Sequence, residues 1–401
     1  MTTTINSNVH FSAVWTPQNE SLKSTLTQKV SRFALNLLHK LAMSICLPAT
    51  HLFKKDDIKM AKQQFSAIHA DQYLSKDITV TTPDGARLQG TFLQKKGCPE
   101  NAPCVIFMQP NAALYAHNAF DSIVRNAWLE GKQCNFLFFD YRGCGLSEGS
   151  PLQAKDLVID GDSMYQFARD HLQVPADDIH MMGSSFGGGV TAQVKAMHPE
   201  CKGNYVNDRS FSCITQAAEH MLGGGIIGKI AKVFLKILGW KALDSAQALS
   251  KIDSRTLITH HPEDRIIRNK AQLVTAASAQ KDNIEHMDLT TKVRSNNYHC
   301  IDLRNVYLSD ASYAADKAAN FLLSGVAFED VWPARINQLK HFDELTQKSF
   351  SSHLQRRYYP NSEQEDIYSR LHLPENEGGI PTQYKIHVLK NWYLSRPTRG
   401  E

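Results

Sequence analysis

The 401-residue sequence predicts an α/β fold, a mostly parallel central sheet with helices on both faces. Three observations predict it. From about residue 78 to residue 324, short runs of Val, Ile, Leu and Phe alternate with stretches of helical periodicity, as expected of strands buried on both faces. One strand-to-helix junction carries Gly183-Ser184-Ser185-Phe186-Gly187, a G-x-S-x-G turn. The composition, 42% hydrophobic and 9% aromatic, is too apolar for a disordered chain and sufficient for a large core.

The elements follow in order. Residues 1–20 are polar and read as loose. Ser21 to Phe53 reads as helical, with Val30, Phe33, Leu37, Leu41 and Ile45 on one face and Lys29, Arg32, His39 and Lys40 around it. Such a helix packs on the body of the protein or lies on a membrane surface. Ile78–Thr81 and Leu88–Leu93 read as strands on either side of the turn Pro83-Asp84-Gly85. Cys104–Met108, Phe136–Phe139 and Ile179–Met182 are buried strands, separated by helices over Phe120–Trp128 and Leu157–His171. A helix over Gly187–Met197 and strands at Asn204–Asn207, Thr256–Thr259 and Ile284–Leu289 complete the series. After about Ser324 the strand rhythm stops, leaving a more polar tail with a helical stretch at Ala334–Gln355. The domain reading is therefore a lead over 1–70, a main domain over 71–325 with an insertion at about 209–250, and an appendage over 326–401.

Several function classes are disfavoured. The net charge of +4, without any Lys/Arg run, argues against a nucleic-acid partner. The eight cysteines lack a C-x-x-C pair and read as reduced thiols. Met1–Glu20 lacks a secretory-leader pattern and no run of about 18 apolar residues exists, so a cytoplasmic protein without a membrane span is expected. His260 and His261, beside Glu263 and Asp264, lie on opposite faces of a strand and are not expected to share a metal. Gly223–Lys229 matches both G-x-G-x-x-G and G-x-x-x-x-G-K. However, Ile230 stands where a phosphate loop needs Ser or Thr, and a helix (Ile214–Met221) precedes it, so no nucleotide or other cofactor is expected. Ile226–Trp240 reads instead as an apolar helix with Lys229, Lys232 and Lys236 on one face, either covering a cleft or touching lipid.

The G-x-S-x-G turn carries the chemistry. A serine hydroxyl is a weak nucleophile and needs a base that a carboxylate orients. In a strand–turn–helix elbow the acid and then the base follow the serine in chain order. Asp264, in the loop after Thr256–Thr259, is the expected acid, with Glu263 and Asp208 as rivals. His299, after Ile284–Leu289, is the expected base; His286 lies inside a strand pattern and reads as a packed sheet residue. Two backbone N–H groups must meet the developing oxyanion. Phe186, next to Ser185, is one, and Asn111 (or Ala112) in the loop after Cys104–Met108 is the other, since Pro110 has no N–H.

At this point the sequence resembles the α/β-hydrolase superfamily. Asp140-Tyr141-Arg142-Gly143-Cys144-Gly145-Leu146-Ser147-Glu148-Gly149 is similar to its D-x-R-G-x-G-x-S-x-G loop. Leu257–Asp264 is similar to its strand-H-G-x-x-D acid loop, with His261 where Gly is usual, and Gln109-Pro110-Asn111 stands where H-G-x is usual. The resemblance implies an α/β-hydrolase fold with a helical cap at Ile226–Trp240 and cleavage of acyl or lipid-like esters through Ser185, His299 and Asp264, with no cofactor. An acyltransferase or thioesterase using the same three residues, or a non-catalytic binding protein of this fold, stays open. More narrowly, Gln109–Ala112, Asn207-Asp208-Arg209-Ser210-Phe211 and the N-terminal lead resemble the chlamydial 43-kDa hydrolase-like proteins and the lipase-like SidB effectors of Legionella. That likeness implies export to a host cell by a type IV system, with Glu363, Glu365, Glu375 and Glu377 in a C-terminal signal.

Overall fold

A computed structural model of the chain describes residues 4–7 and, apart from short stretches, 55–327. The helix expected over Ser21–Phe53 and nearly all of the appendage lie outside the described residues. The chain divides into a unit over Met1–Glu329 and a second over Asp330–Glu401.

The first unit is built on strands β1 (Thr4–Ser7), β2 (Tyr73–Thr81), β3 (Arg87–Lys95), β4 (Cys104–Met108), β5 (Asn135–Phe139), β6 (Ile179–Ser184), β7 (Tyr205–Asp208), β8 (Thr256–His260) and β9 (Ile284–Asp288). They form one sheet in the order β1-β2-β3-β5-β4-β6-β7-β8-β9. β3 runs antiparallel to both of its neighbours, and every other pairing is parallel. The helices are α1 (Lys55–His69), α2 (Asp121–Leu129), α3 (Ala154–Gln166), α4 (Phe186–Met197), α5 (Ile214–Met221), α6 (Ile226–Ile237), α7 (Ser245–Leu249) and α8 (Ala314–Leu322).

Side chains along β4 show both faces being used. Cys104, Ile106 and Met108 join a core containing Ala154 and Leu157 of α3 and Val190 and Val194 of α4. Phe107 points to the other face, where it stacks on Phe120 and Phe138 at centroid distances of 4.6 and 4.7 Å. Because both faces are covered, β4 and β5 are apolar at nearly every position, which is why they were readable as strands.

Three elements depart from the sequence reading. Thr4–Ser7 is not loose but pairs in parallel with β2, from Thr4 opposite Asp77 to Ser7 opposite Val80. A four-residue polar edge strand has no alternation to betray it. Helix α1 is absent from the sequence reading, and it packs on the sheet: Phe65 lies edge-on against Tyr115 and Phe138 at 5.7 and 5.0 Å. Helix α3 begins at Ala154, earlier than expected, and passes into a π-turn over Phe167–His171.

Candidate active site

Strand β6 and helix α4 meet at Ser185, whose φ of 50° and ψ of −114° are unusual for a non-glycine residue. The surrounding contacts impose this conformation. The Ser185 N–H donates to the Asp208 carbonyl at 2.7 Å, and the Gly188 N–H donates to the Ser185 carbonyl at 3.1 Å. Gly187 allows the helix to close on the sheet, since a Cβ there would lie 2.1 Å from the Met108 carbonyl oxygen. The outcome is a hydroxyl held at the carboxyl end of a central parallel strand.

Two other segments reach the same point. Asp264 lies in the turn after β8; its Oδ1 accepts the N–H groups of Ile266 and Ile267 at 2.8 and 2.9 Å. Its Oδ2 accepts Nδ1–H of His299 at 2.7 Å. The Nε2 of His299 lies 2.7 Å from the Ser185 Oγ. With Nδ1 protonated toward the carboxylate, Nε2 carries the lone pair that accepts the serine O–H. The Asp264 and His299 side chains are 1% and 8% exposed, so little water competes for the pair.

The rivals lie elsewhere. Glu263 is exposed, and its N–H donates to Nδ1 of His261 at 3.0 Å. His286 Nε2 bonds the Ala279 carbonyl at 2.8 Å, away from Ser185. Asp208 is buried and accepts Ser184 Oγ at 2.8 Å, Thr259 Oγ1 at 2.6 Å and the Arg209 guanidinium at 2.7 Å. Burial pushes its pKa up, but Arg209 and these hydroxyls outweigh that and hold the carboxyl below the usual carboxylate range.

Phe186 opens α4, so its N–H has no intrahelical acceptor. Asn111 follows β4 by three residues, and the same close approach of Gly187 to Met108 and Gln109 brings this loop beside the start of α4. Ala112 lies outside the described residues.

Among curated proteins, the chain is 27% identical over 201 residues to the α/β hydrolase domain-containing protein WAV2 of Arabidopsis thaliana, a match covering 48% of this chain and 62% of that protein. It is 32% identical over 166 residues to the uncharacterized protein YfhR of Salmonella typhi, covering 37% of this chain and 54% of that one. The chain thus spans between half and two thirds of the length of these relatives. No family profile matches. Among solved structures, an α/β hydrolase from Vibrio vulnificus is similar at a TM-score of 0.47 and 17% identity, over 78% of this chain and 93% of that one.

This chain has the α/β-hydrolase fold.

Within the hydrolase fold, the loop after β5 is a brace. Asp140 Oδ1 accepts the Tyr115 N–H at 2.9 Å, and burial pushes the Asp140 carboxyl up to about 7. Arg142 Nε donates to Asp160 at 2.7 Å while its Nη1 reaches Asp84 at 2.6 Å, tying the loop to α3 and to the β2–β3 turn. His261, at the position where Gly is usual, stacks on Tyr298 at 4.0 Å with planes 12° apart. It therefore supports the segment that carries His299.

Sequence reasoning overlooked Arg209. Its Nη1 donates to the Tyr298 carbonyl at 3.4 Å, one residue before His299. Trp240 is also more than a cap residue: it is fully buried, with its ring 6.3 Å from that of Phe186. The only sequence signal for Arg209 was its place in Asn207–Phe211, since its partner at Tyr298 is 89 residues away.

Proposed function

We propose that the chain is a serine hydrolase that cleaves carboxylic esters of acyl or lipid-like type. The observation that carries this reading is the continuous hydrogen-bond chain from Asp264 through His299 to Ser185, with both links at 2.7 Å. In the first half-reaction, Ser185 Oγ attacks the ester carbonyl carbon and His299 Nε2 takes its proton. Asp264 holds the ring in this tautomer and stabilises the imidazolium. The carbonyl oxygen becomes an oxyanion that the Phe186 and Asn111 N–H groups receive. A single donor of this kind contributes about 100-fold to 1,000-fold in rate. Collapse breaks the bond to the alkoxy group, which leaves as the alcohol with the proton from His299. Water then attacks the acyl-enzyme, giving its proton to His299, and the acid departs as Ser185 regains that proton.

The preference for an apolar acyl group is supported by the surroundings. Phe186, Tyr141, Phe211, Trp240 and Ile267 belong to one apolar cluster, with Ile266 packed against it. Ile266 is the half-buried member of this set, bonded through its N–H to Asp264, and it offers an acyl chain apolar surface beside the site.

The test compares wild type with Ser185→Ala on aryl esters of increasing acyl length, alongside a fluorophosphonate probe. Turnover should fall by about four orders of magnitude or more in the variant, and labelling should vanish. Turnover that persists in Ser185→Ala, or a wild type that neither turns over nor is labelled, would overturn the reading.

A further inference from the structure

Helix α6 has two apolar sides, and the fold uses only one. Gly228 and Leu235 are buried, and so is Leu238 just past the helix end; a Cβ on Gly228 would lie 2.3 Å from the Glu219 carbonyl oxygen of α5. The opposite side carries Ile226, Ile230, Val233 and Ile237, which are 79%, 64%, 56% and 75% exposed. Their spacing of four, three and four residues puts them on one line along the helix. Met221 and Leu222, where α5 ends, and Ile227 are exposed as well. Such a stripe on the side away from the core contributes nothing to folding and is a solubility liability, so it needs an occupant.

The charge pattern says which. Exposed Lys229 and Lys236 lie along one flank of the stripe, and Lys241 is exposed just beyond the helix. Lys232, on the same flank, is paired with Glu219 at 2.6 Å. From His220 through Leu243 the sequence has four lysines and neither Asp nor Glu. The stripe itself is wholly aliphatic, lacking the Trp, Tyr and Arg anchors that carry protein–protein interfaces. Aliphatic side chains flanked by the exposed Lys229 and Lys236 match the interior and headgroups of an anionic bilayer.

We propose that the exposed side of the α5–α6 hairpin docks the protein on anionic lipid membranes. Ile226, Ile230, Val233 and Ile237 enter the acyl region while Lys229 and Lys236 meet the headgroups. Docking here presents the end of the molecule that holds Ser185, because α6 continues through Gly239 into Trp240 beside Phe186. The proposal does not depend on catalysis, so loss of esterase activity would leave it standing.

The test is flotation of the full chain with vesicles of phosphatidylcholine, with and without phosphatidylserine. Wild type should float with the anionic vesicles, and less so as salt is raised. The Ile230→Asn/Ile237→Asn double variant should bind at least about tenfold more weakly. Lys229→Glu/Lys236→Glu changes only exposed side chains and should lose the preference for phosphatidylserine; thermal unfolding checks that both variants are folded. A wild type that stays with the soluble fraction, or flotation unchanged in both variants, overturns the proposal. A lipid-free dimer that the isoleucine variant dissociates, with flotation unaltered, overturns it in favour of a second copy of the chain.

Discussion

Arg209 adopts a φ of 47°, a backbone region that costs a non-glycine residue on the order of 1–3 kcal/mol unless its surroundings impose it. They do so here: its N–H donates to the Thr259 carbonyl at 3.1 Å and its guanidinium forks onto Asp208 at 2.9 and 2.7 Å. The remaining arm reaches the Tyr298 carbonyl, making Arg209 a positioning residue for His299. Lysine keeps the charge but not the fork. Arg209→Lys should therefore lower kcat by about tenfold while KM stays within about twofold, measured on the best aryl ester. Arg209→Ala leaves Asp208 buried without its cation, and chemical denaturation should show a loss of about 3–5 kcal/mol. The contrast between acids was partly legible in the sequence. Asp264 follows a strand and precedes His299 in the expected order, whereas Asp208 could be set aside only once Arg209, Thr259 and Ser184 were seen to saturate it.

At the scale of elements, the elbow between β6 and α4 depends on one contact that no side chain can survive. A Cβ at Gly187 falls 2.1 Å from Met108 O and 2.6 Å from Gln109 O, both backbone atoms that cannot swing aside. Gly187→Ala should cost about 3 kcal/mol in urea unfolding and reduce fluorophosphonate labelling of Ser185, because α4 must shift from β4. The elements that were legible are those whose burial shows in the pattern: β4 was expected over Cys104–Met108 and α5 over Ile214–Met221, the bounds they have. Those that were missed lack such a pattern. Strand β1 is short and polar, α7 spans only Ser245–Leu249, and the buried side of α1 rests on Ile58, Ala61 and Phe65 amid charged neighbours. The insertion was visible as an apolar helix, but which of its two apolar sides packs inward depended on Gly228, whose significance is a tertiary contact.

The whole molecule should respond to acid through a histidine remote from any chemistry. His180, in β6, is buried; its Nδ1 accepts the Asn204 N–H at 2.9 Å. Burial, helped by the Lys195 cation, lowers its pKa to about 4 from the ordinary 6.5. Between these values the unfolded chain holds a proton that the native protein refuses. This contribution to stability is therefore complete above about pH 6.5 and is lost as pH falls toward about 4. In His180→Asn the side-chain oxygen keeps the acceptor but cannot titrate. Its stability relative to wild type, followed by denaturant unfolding from neutral to acid pH, should improve by about 3 kcal/mol across the window. The expected C-terminal signal lies outside the described residues. The path of the chain through the sheet also sets a timetable. Ser185 and His299 are 114 residues apart, on segments that only the finished parallel sheet brings together. At ordinary elongation rates, roughly 6 to 23 seconds separate synthesis of the serine from synthesis of its base. On the proposed mechanism, the nascent chain carries Ser185 without His299 throughout that interval, so hydrolysis waits for the sheet to be completed.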